Sequence, residues 1–239
     1  MEESRTNESI RDNYNTVLSE IEHHALKVGR DPSDITIVGV TKKIDYERII
    51  PALKSGLNHI GELIEKEMKQ KVELIKRDYP ETNIHIIGNM QSNKVKYATE
   101  VANLIQSVER EKILNLLNSE SEKNDKVTSI LLQTDFCRER ELKGLNQKAT
   151  MKILETLLHY PFIEVKGIMS IAPLEYLNNE RMLRKCFKKT KNTFEESIKP
   201  KLLTDKPILS MGMSNDYKLA VEEGSTLVRI GTAIFGQRN

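Results

Sequence analysis

The sequence lacks the features that mark several classes of protein. It has no tryptophan, 5% aromatic residues, and two cysteines among 239 residues. So few aromatic side chains argue against a surface on which nucleic-acid bases stack. Cys137 and Cys186 form no CxxC pair and have no histidine at ligand spacing. This predicts neither a metal site nor a disulfide framework.

Targeting signals and an excess of one charge are also missing. Residues 1–16 are polar and acidic where a signal peptide is basic and then apolar. The longest apolar runs, such as residues 35–40, are far shorter than the ~20 residues that span a bilayer. Lys and Arg number 37 against 35 Asp and Glu, with no basic tract. We therefore predict a cytoplasmic protein with no membrane span and no nucleic-acid partner.

Short apolar runs alternate with longer amphipathic, charge-rich stretches, which is the pattern of βα units. The candidate strands span residues 35–41, 58–62, 84–88, 103–108, 128–134, 164–171, 208–212 and 226–231. Helical patterns span residues 46–54, 65–77, 93–99, 110–121, 147–158, 180–198 and 216–222, and one over residues 10–28 precedes the first strand. This alternation predicts an α/β fold, a single (β/α)8 TIM barrel domain over residues 1–239, with the first helix beside strand eight.

An open, doubly wound sheet is the alternative fold. The turn after the first strand reads VTKKIDYER and lacks the GxGxxG that would cradle a pyrophosphate. The chain is also poor in glycine, with 11 in total. Both observations favour the barrel.

Two lysines close the first predicted strand. The site of such a barrel lies at the C-terminal ends of its strands, which places Lys42 and Lys43 at the mouth. Side chains alternate along a strand, so one of the two points toward the barrel axis. A partly desolvated lysine there can react as a neutral amine and form a Schiff base with an aldehyde. Two solvated loop lysines are the alternative.

An arginine lies inside the eighth predicted strand. Arg229 stands in the apolar run 226–231, and a buried guanidinium needs an acceptor or an anion. Its partner is either a carboxylate on a neighbouring strand, such as Glu62, or a bound ligand.

The loops after strands seven and eight carry the elements of an anion site. Ser214 is predicted to be the N-cap of the following helix, whose first backbone N–H groups can bind an anion. Gly231 permits close backbone approach, and Thr232 adds a hydroxyl. These loops are the recurrent phosphate site of this barrel. A phosphate site and a simple helix cap both remain open.

Five segments closely resemble the pyridoxal-phosphate homeostasis protein family: VGVTK, IHIIGNMQSNK, VKGIMSIAP, LSMGMSND and STLVRIGTAIFG. The similarity runs from about residue 35 to residue 236. The barrel of that family is similar to the N-terminal domain of alanine racemase, which is fold type III of the pyridoxal 5′-phosphate (PLP) proteins. The resemblance therefore implies the same fold as the periodicity, and a cofactor derived from vitamin B6.

The resemblance also implies the cofactor-binding residues. In that family a lysine carries PLP as a Schiff base, an arginine faces the pyridine nitrogen, and the loops after strands seven and eight hold the phosphate. The matching residues are Lys42 for the lysine, Met213 in the pocket lining, Ser214, Gly231 and Thr232 around the phosphate, and Arg229 at the pyridine nitrogen. Because an arginine stays cationic, a pyridine nitrogen opposite it stays unprotonated and the ring is a weaker electron sink.

Two segments depart from the family pattern. The family reads GEN at the end of strand two, whereas this chain has Leu63 after Gly61 and Glu62. After strand five it reads TDFCRERELKG in place of a loop with serine and lysine, and only Lys143 and Gly144 approximate that pattern.

The resemblance implies a non-catalytic PLP-binding regulator that affects amino-acid and keto-acid pools, with PLP-dependent apoenzymes as candidate recipients. A PLP-dependent amino-acid racemase is the alternative, and an aldolase-like barrel without cofactor is disfavoured. Racemisation needs an acid–base group on each face of the α-carbon. Alanine racemases supply the second from a C-terminal β-domain, whereas this chain ends at Asn239, soon after the last barrel motif. We therefore expect no substantial racemase turnover.

Overall fold

A computed structural model describes residues 2–64, 68–138 and 144–237. Eight parallel strands close into a barrel in chain order, because the first strand pairs with both the second and the eighth. The strands are β1 Thr36–Val40, β2 His59–Glu62, β3 Asn83–Ile86, β4 Leu104–Val108, β5 Thr128–Thr134, β6 Ile163–Ser170, β7 Ile208–Met213 and β8 Leu227–Ile230. The predicted (β/α)8 fold is confirmed, and the open sheet is excluded.

Helices surround the strands. They are α1 Glu2–Lys27, α2 Tyr46–Lys54, α3 Met68–Asp78, α4 Val95–Val101, α5 Glu111–Lys123, α6 Gln147–Glu155, α7 Glu180–Thr193, α8 Tyr217–Glu222 and α9 Thr232–Phe235. Each predicted helix is present, and α7 continues into a π-helical turn over Phe194–Ile198. Two features differ from the prediction: α1 begins at Glu2 rather than near residue 10, and the single-turn α9 was not predicted.

The first helix closes the outer ring beside β8. It packs on α2, α8 and α9, as its predicted position requires. Its C-terminal turn is joined to α8 through Glu222, whose side chain is 4% exposed. Glu222 accepts hydrogen bonds from His24 at 2.6 Å, Lys27 at 2.7 Å and Arg184 of α7 at 2.6 Å. One carboxylate therefore ties three helices together.

Replacing Glu222 with Gln should lower the free energy of unfolding by about 1–3 kcal/mol, because the amide cannot satisfy three charged or imidazole donors. Burial raises the pKa of Glu222, but the bonds from Lys27, His24 and Arg184 outweigh it and lower the pKa to about 2. Urea denaturation measures the change. As a control, Glu195→Gln removes an exposed pair with Lys199 and should cost under ~1 kcal/mol. Equal losses in both variants would contradict this role for Glu222.

The barrel interior is apolar at one level and polar at the next. The interior apolar residues form a small cluster separate from the main core between strands and helices: Val38, Leu104, Leu131, Met169 and Leu227. Two positions further toward the mouth, Gln106 follows Leu104 on β4, and Arg229 follows Leu227 on β8. Both polar side chains are buried. A polar layer therefore lies between the apolar cluster and the C-terminal ends of the strands.

Cys137 and Cys186 form a disulfide bond, so the prediction that they build no disulfide was wrong. The bond joins the segment after β5 to α7, the helix after β6. The two cysteines are 49 residues apart. Neighbouring strands bring them together in space, and their spacing in the sequence carries no sign of it.

Among the helices in the described ranges, none combines the length and the apolar character that crossing a bilayer requires.

Candidate functional site

The structure distinguishes the two lysines that follow β1. Lys42 is half-buried, whereas Lys43 is exposed and has a backbone φ of 57°. Val38 faces the barrel interior and β1 ends at Val40, so Lys42 lies in the turn that follows the strand, where the Ile44 N–H donates to the Thr41 carbonyl at 3.0 Å. Lys42 is therefore the better placed of the two to react inside the mouth.

The backbone around Lys42 is held from two neighbouring elements. On β2, the Glu62 carboxylate accepts a hydrogen bond from the Thr41 hydroxyl at 2.5 Å. On α3, Lys71 Nζ contacts Glu62 Oε1 at 2.5 Å and donates to the carbonyl oxygens of Thr41 at 2.7 Å and Ile44 at 3.1 Å. Lys71 therefore fixes the turn that carries Lys42. Its role was not predictable from the sequence, since a lysine in a charged helix carries no local signal.

Ser214 has a different role from the predicted one. The residue before α8 is Asp216, and Ser214 does not cap that helix. Its Oγ instead accepts hydrogen bonds from the backbone N–H groups of Gly231 at 3.1 Å and Ala233 at 3.3 Å, where β8 leads into α9. The predicted proximity of Ser214 to Gly231 is therefore confirmed. The N-cap assignment is wrong because α8 begins at Tyr217, with Asp216 and not Ser214 at the residue before it.

The turn after β7 is closed by Asp216. Its Oδ1 accepts from the Met213 backbone N–H at 2.5 Å, and its own N–H donates to the Met213 carbonyl at 3.0 Å. Burial raises the pKa of Asp216, with the Met213 bond and the charge of Arg229 acting in the opposite direction. Gly212 has a φ of 95°, and a Cβ there would lie 2.6 Å from the Ala220 Cβ. The turn therefore needs glycine at this position to pack on α8.

Arg229 is buried, with 4% of its surface exposed. Its guanidinium donates to Ser210 Oγ on β7 at 2.5 Å and to the Ser170 carbonyl at the end of β6 at 2.9 Å. Burial lowers the pKa of Arg229 to about 10, with the charge of Asp216 opposing the shift, so the group stays cationic at neutral pH.

The partners of Arg229 answer the question left open by the sequence. The alternative partner, Glu62, is bound by Thr41 and Lys71 on the far side of β1. The hydrogen-bond acceptors of the guanidinium in the described structure are thus uncharged, and they direct it from β8 past β7 toward β6, while the Asp216 carboxylate acts on it through its charge.

Three neighbouring strands bring the predicted residues to one region of the mouth. Val38 of β1 is the register partner of Arg229, and so is Met213 of β7. The C-terminal ends of β7, β8 and β1 therefore adjoin, and they carry the predicted site residues Lys42, Met213, Ser214, Arg229, Gly231 and Thr232. Thr232 is exposed, whereas Ser214 and Gly231 are partly buried.

The two departures from the family pattern have structural consequences. Leu63 packs on Gly88, where a Cβ would lie 2.2 Å from Leu63 Cδ2, so an apolar contact joins the ends of β2 and β3. After β5, Asp135 accepts from the N–H of Cys137 and pairs with Arg138 at 2.6 Å. Lys143 lies outside the described residues.

Within the described ranges, no group of three or more His, Cys, Asp or Glu side chains is arranged to hold a metal ion.

The family model for the alanine racemase N-terminal domain matches residues 17–239. Together with the closed parallel barrel, this match identifies the fold as that of the alanine racemase N-terminal domain. The pyridoxal phosphate homeostasis protein of Vibrio alginolyticus is 33% identical over 235 residues, which are 97% of this chain and 98% of that relative. The chain belongs to the pyridoxal phosphate homeostasis protein family.

Two solved structures are similar over nearly the whole chain. An unknown protein from Bifidobacterium adolescentis has a TM-score of 0.88 and 27% identity, covering 97% of this chain and 96% of its own. PipY from Synechococcus elongatus, in a structure with PLP bound, has a TM-score of 0.71 and 26% identity, covering 90% of this chain and 100% of its own.

Proposed function

We propose that this protein binds pyridoxal 5′-phosphate, carries it as a Schiff base on Lys42, and serves in intracellular PLP homeostasis. The observation that carries the proposal is the convergence of three chemically distinct groups at the ends of β7, β8 and β1. These groups are a half-buried lysine, a buried guanidinium, and a hydroxyl beside two backbone N–H groups. The homeostasis relatives and the PLP-bound PipY structure support it.

The groups around Ser214 fit the phosphate of PLP. The N–H groups of Gly231 and Ala233 both point at the Ser214 hydroxyl. When an anion approaches, these donors can turn to its oxygens, and the hydroxyl can rotate and donate as well. Thr232 offers a further hydroxyl at the exposed edge, and Met213 lines the adjoining turn.

Lys42 and Arg229 fit the two ends of the pyridine ring system. Bound PLP would supply an aldehyde, whose carbon can form a C=N bond with a neutral primary amine while the aldehyde oxygen and the two amine hydrogens are released as one water molecule. Lys42 brings that amine to the mouth, and the contacts of Lys71 with Thr41 and Glu62 hold its backbone. Arg229 presents only donors, so it holds a ring nitrogen that accepts and is unprotonated.

The proposal takes residues 1–239 as one PLP-binding domain in the cytoplasm. PLP-dependent apoenzymes are its proposed recipients, and a change in free PLP would act on amino-acid and keto-acid pools. The 33% identity to the Vibrio alginolyticus homeostasis protein, over 98% of that relative, supports this role.

Substituting Lys42 with Ala should abolish the visible absorbance of a Schiff base in PLP-loaded protein, because it removes the amine that the proposal assigns to the bond. Borohydride reduction of the wild type, followed by peptide mapping, should place the pyridoxyl group on Lys42. Lys43→Ala is the matched control and should keep the absorbance, since Lys43 is exposed. Recovery of the label on Lys43 alone would refute the assignment.

The racemase alternative is tested on the same sample. Alanine and serine racemisation by PLP-loaded protein should be negligible. A turnover near the typical enzymatic ~10 per second, lost in Lys42→Ala, would favour the racemase over the regulator.

A further inference from the structure

A continuous chain of side-chain hydrogen bonds crosses the barrel interior beneath the proposed site. Arg229 on β8 donates to Ser210 Oγ on β7 at 2.5 Å, and Ser210 donates to Gln106 Oε1 on β4 at 2.8 Å. Gln106 Nε2 lies 2.9 Å from His85 Nδ1 on β3, and His85 Nε2 lies 2.9 Å from His59 Nδ1 on β2. Four bonds therefore link five strands, and none of these side chains except Arg229 was a predicted site residue.

Arg229 and the orientation of the Gln106 amide together fix the direction of every bond in this chain. A guanidinium has donors only, so Ser210 Oγ accepts from it, and because the amide oxygen of Gln106 faces Ser210, the hydroxyl donates to that oxygen. The Gln106 oxygen accepts the hydrogen bond from Ser210, which leaves the amide N–H to donate a hydrogen bond to His85 Nδ1. His85 therefore carries its proton on Nε2, and this N–H donates a hydrogen bond to His59 Nδ1.

Burial makes this arrangement costly to change. Ser210 and Gln106 are 0% exposed and His85 is 3% exposed, so water cannot replace a lost partner. His85 must be neutral to accept from Gln106, and burial followed by the neighbouring His59 lowers its pKa to about 3. Each member of the chain therefore restricts its neighbour to one orientation.

We propose that Gln106 is a positioning residue of the PLP site: it holds the Ser210 hydroxyl so that its lone pair faces Arg229 and fixes the guanidinium toward the cofactor ring. The inference rests on the proposed function. Gln106 lies below the mouth, so it acts on the cofactor through Ser210 and Arg229. An amide suits this position because it offers an acceptor to the hydroxyl and a donor to the neutral imidazole.

The first measurement uses the wild-type protein without cofactor. Two-bond ¹H–¹⁵N correlation spectra should show the ring of His85 protonated on Nε2 and unprotonated on Nδ1 at neutral pH. Loss of that resonance set in His85→Gln assigns it. A His85 protonated on Nδ1 reverses the deduced direction and overturns the inference without any further variant.

The second measurement compares PLP-loaded variants by visible absorption, its pH titration, and the dissociation constant of PLP. Gln106→Met keeps the length of the side chain and removes both polar atoms. It should weaken PLP binding about three- to tenfold and shift the titration in the same direction as Ser210→Ala. Ser210→Thr keeps the hydroxyl and should therefore keep the wild-type spectrum, titration and dissociation constant. Leu104→Val, on the same face of β4, should lower stability without moving the spectrum.

The outcomes separate the inference from the proposed function. If the wild type binds no PLP, the proposed function fails before any variant is compared, and the inference fails with it. If the wild type binds PLP and Arg229→Gln changes its spectrum, but Gln106→Met leaves spectrum and affinity unchanged, only the inference is overturned. A spectral shift of equal size in Leu104→Val would also overturn it, because any loss of packing would then suffice.

Discussion

Replacing Cys137 with Ser should lower the free energy of unfolding by about 4 kcal/mol. The bond closes a loop between residues 49 apart, and in the chain-entropy model opening it returns that conformational freedom to the unfolded chain. Urea denaturation of the oxidised protein, before and after the substitution, measures the change. The reduced form is the one that the predicted cytoplasmic location favours, since the glutathione pool keeps thiols reduced.

The control for this prediction is the reducing agent. With dithiothreitol present, wild type and Cys137→Ser should unfold at nearly the same urea concentration, because neither contains the bond. Cys186→Ser should behave like Cys137→Ser in oxidising buffer. The prediction fails if a sample shown by mass to contain the disulfide unfolds at the same midpoint with and without reductant.

Acid should destabilise the protein by on the order of 2 kcal/mol between pH 6.5 and pH 5 through His85 alone. Burial, and then the neighbouring His59, lower the pKa of His85 from 6.5 to about 3 in the folded protein. Between these values the unfolded chain binds the proton and the folded chain does not, so stability rises with pH across this window. Chemical denaturation at a series of pH values measures the slope.

The His85→Gln variant isolates this contribution. Its free energy of unfolding should depend less steeply on pH than that of the wild type between pH 4 and 6.5. His23→Gln is the matched control, because it removes an imidazole that is exposed on α1. Parallel slopes in wild type and His85→Gln would show that His85 takes up its proton in the folded state.

Hydrophobic periodicity predicted the fold well because it records burial directly. The apolar runs at 128–134 and 208–212 coincide closely with β5 and β7, since parallel barrel strands are covered on both faces. The positions at the strand ends indicated the candidate site residues, the resemblance added Met213 and the roles toward PLP, and the structure brings Ser214 and Gly231 into contact. Strand-end position alone left Lys42 and Lys43 equivalent, and the difference in their burial separates them.

The features that the sequence did not reveal depend on distant residues. Ser214 was taken for an N-cap because the local pattern fits one, whereas its actual partners lie 17 and 19 residues later in the chain. The Gln106–Ser210 bond joins residues 104 apart. Such contacts are set by barrel closure, and a single sequence contains no periodicity that reports them.

The junction between α1 and α8 also delays closure of the barrel until the end of synthesis, because its two sides lie near opposite ends of the chain. His24 and Glu222 are 198 residues apart, and β1 has no β8 partner until the ribosome reaches that segment. At about 5–20 residues per second, the wait is on the order of 10–40 seconds. Throughout it, the edge of β1 that pairs with β8 and the part of α1 that packs on α8 and α9 stay uncovered. This nascent intermediate is where chaperone binding or misassembly would compete with folding.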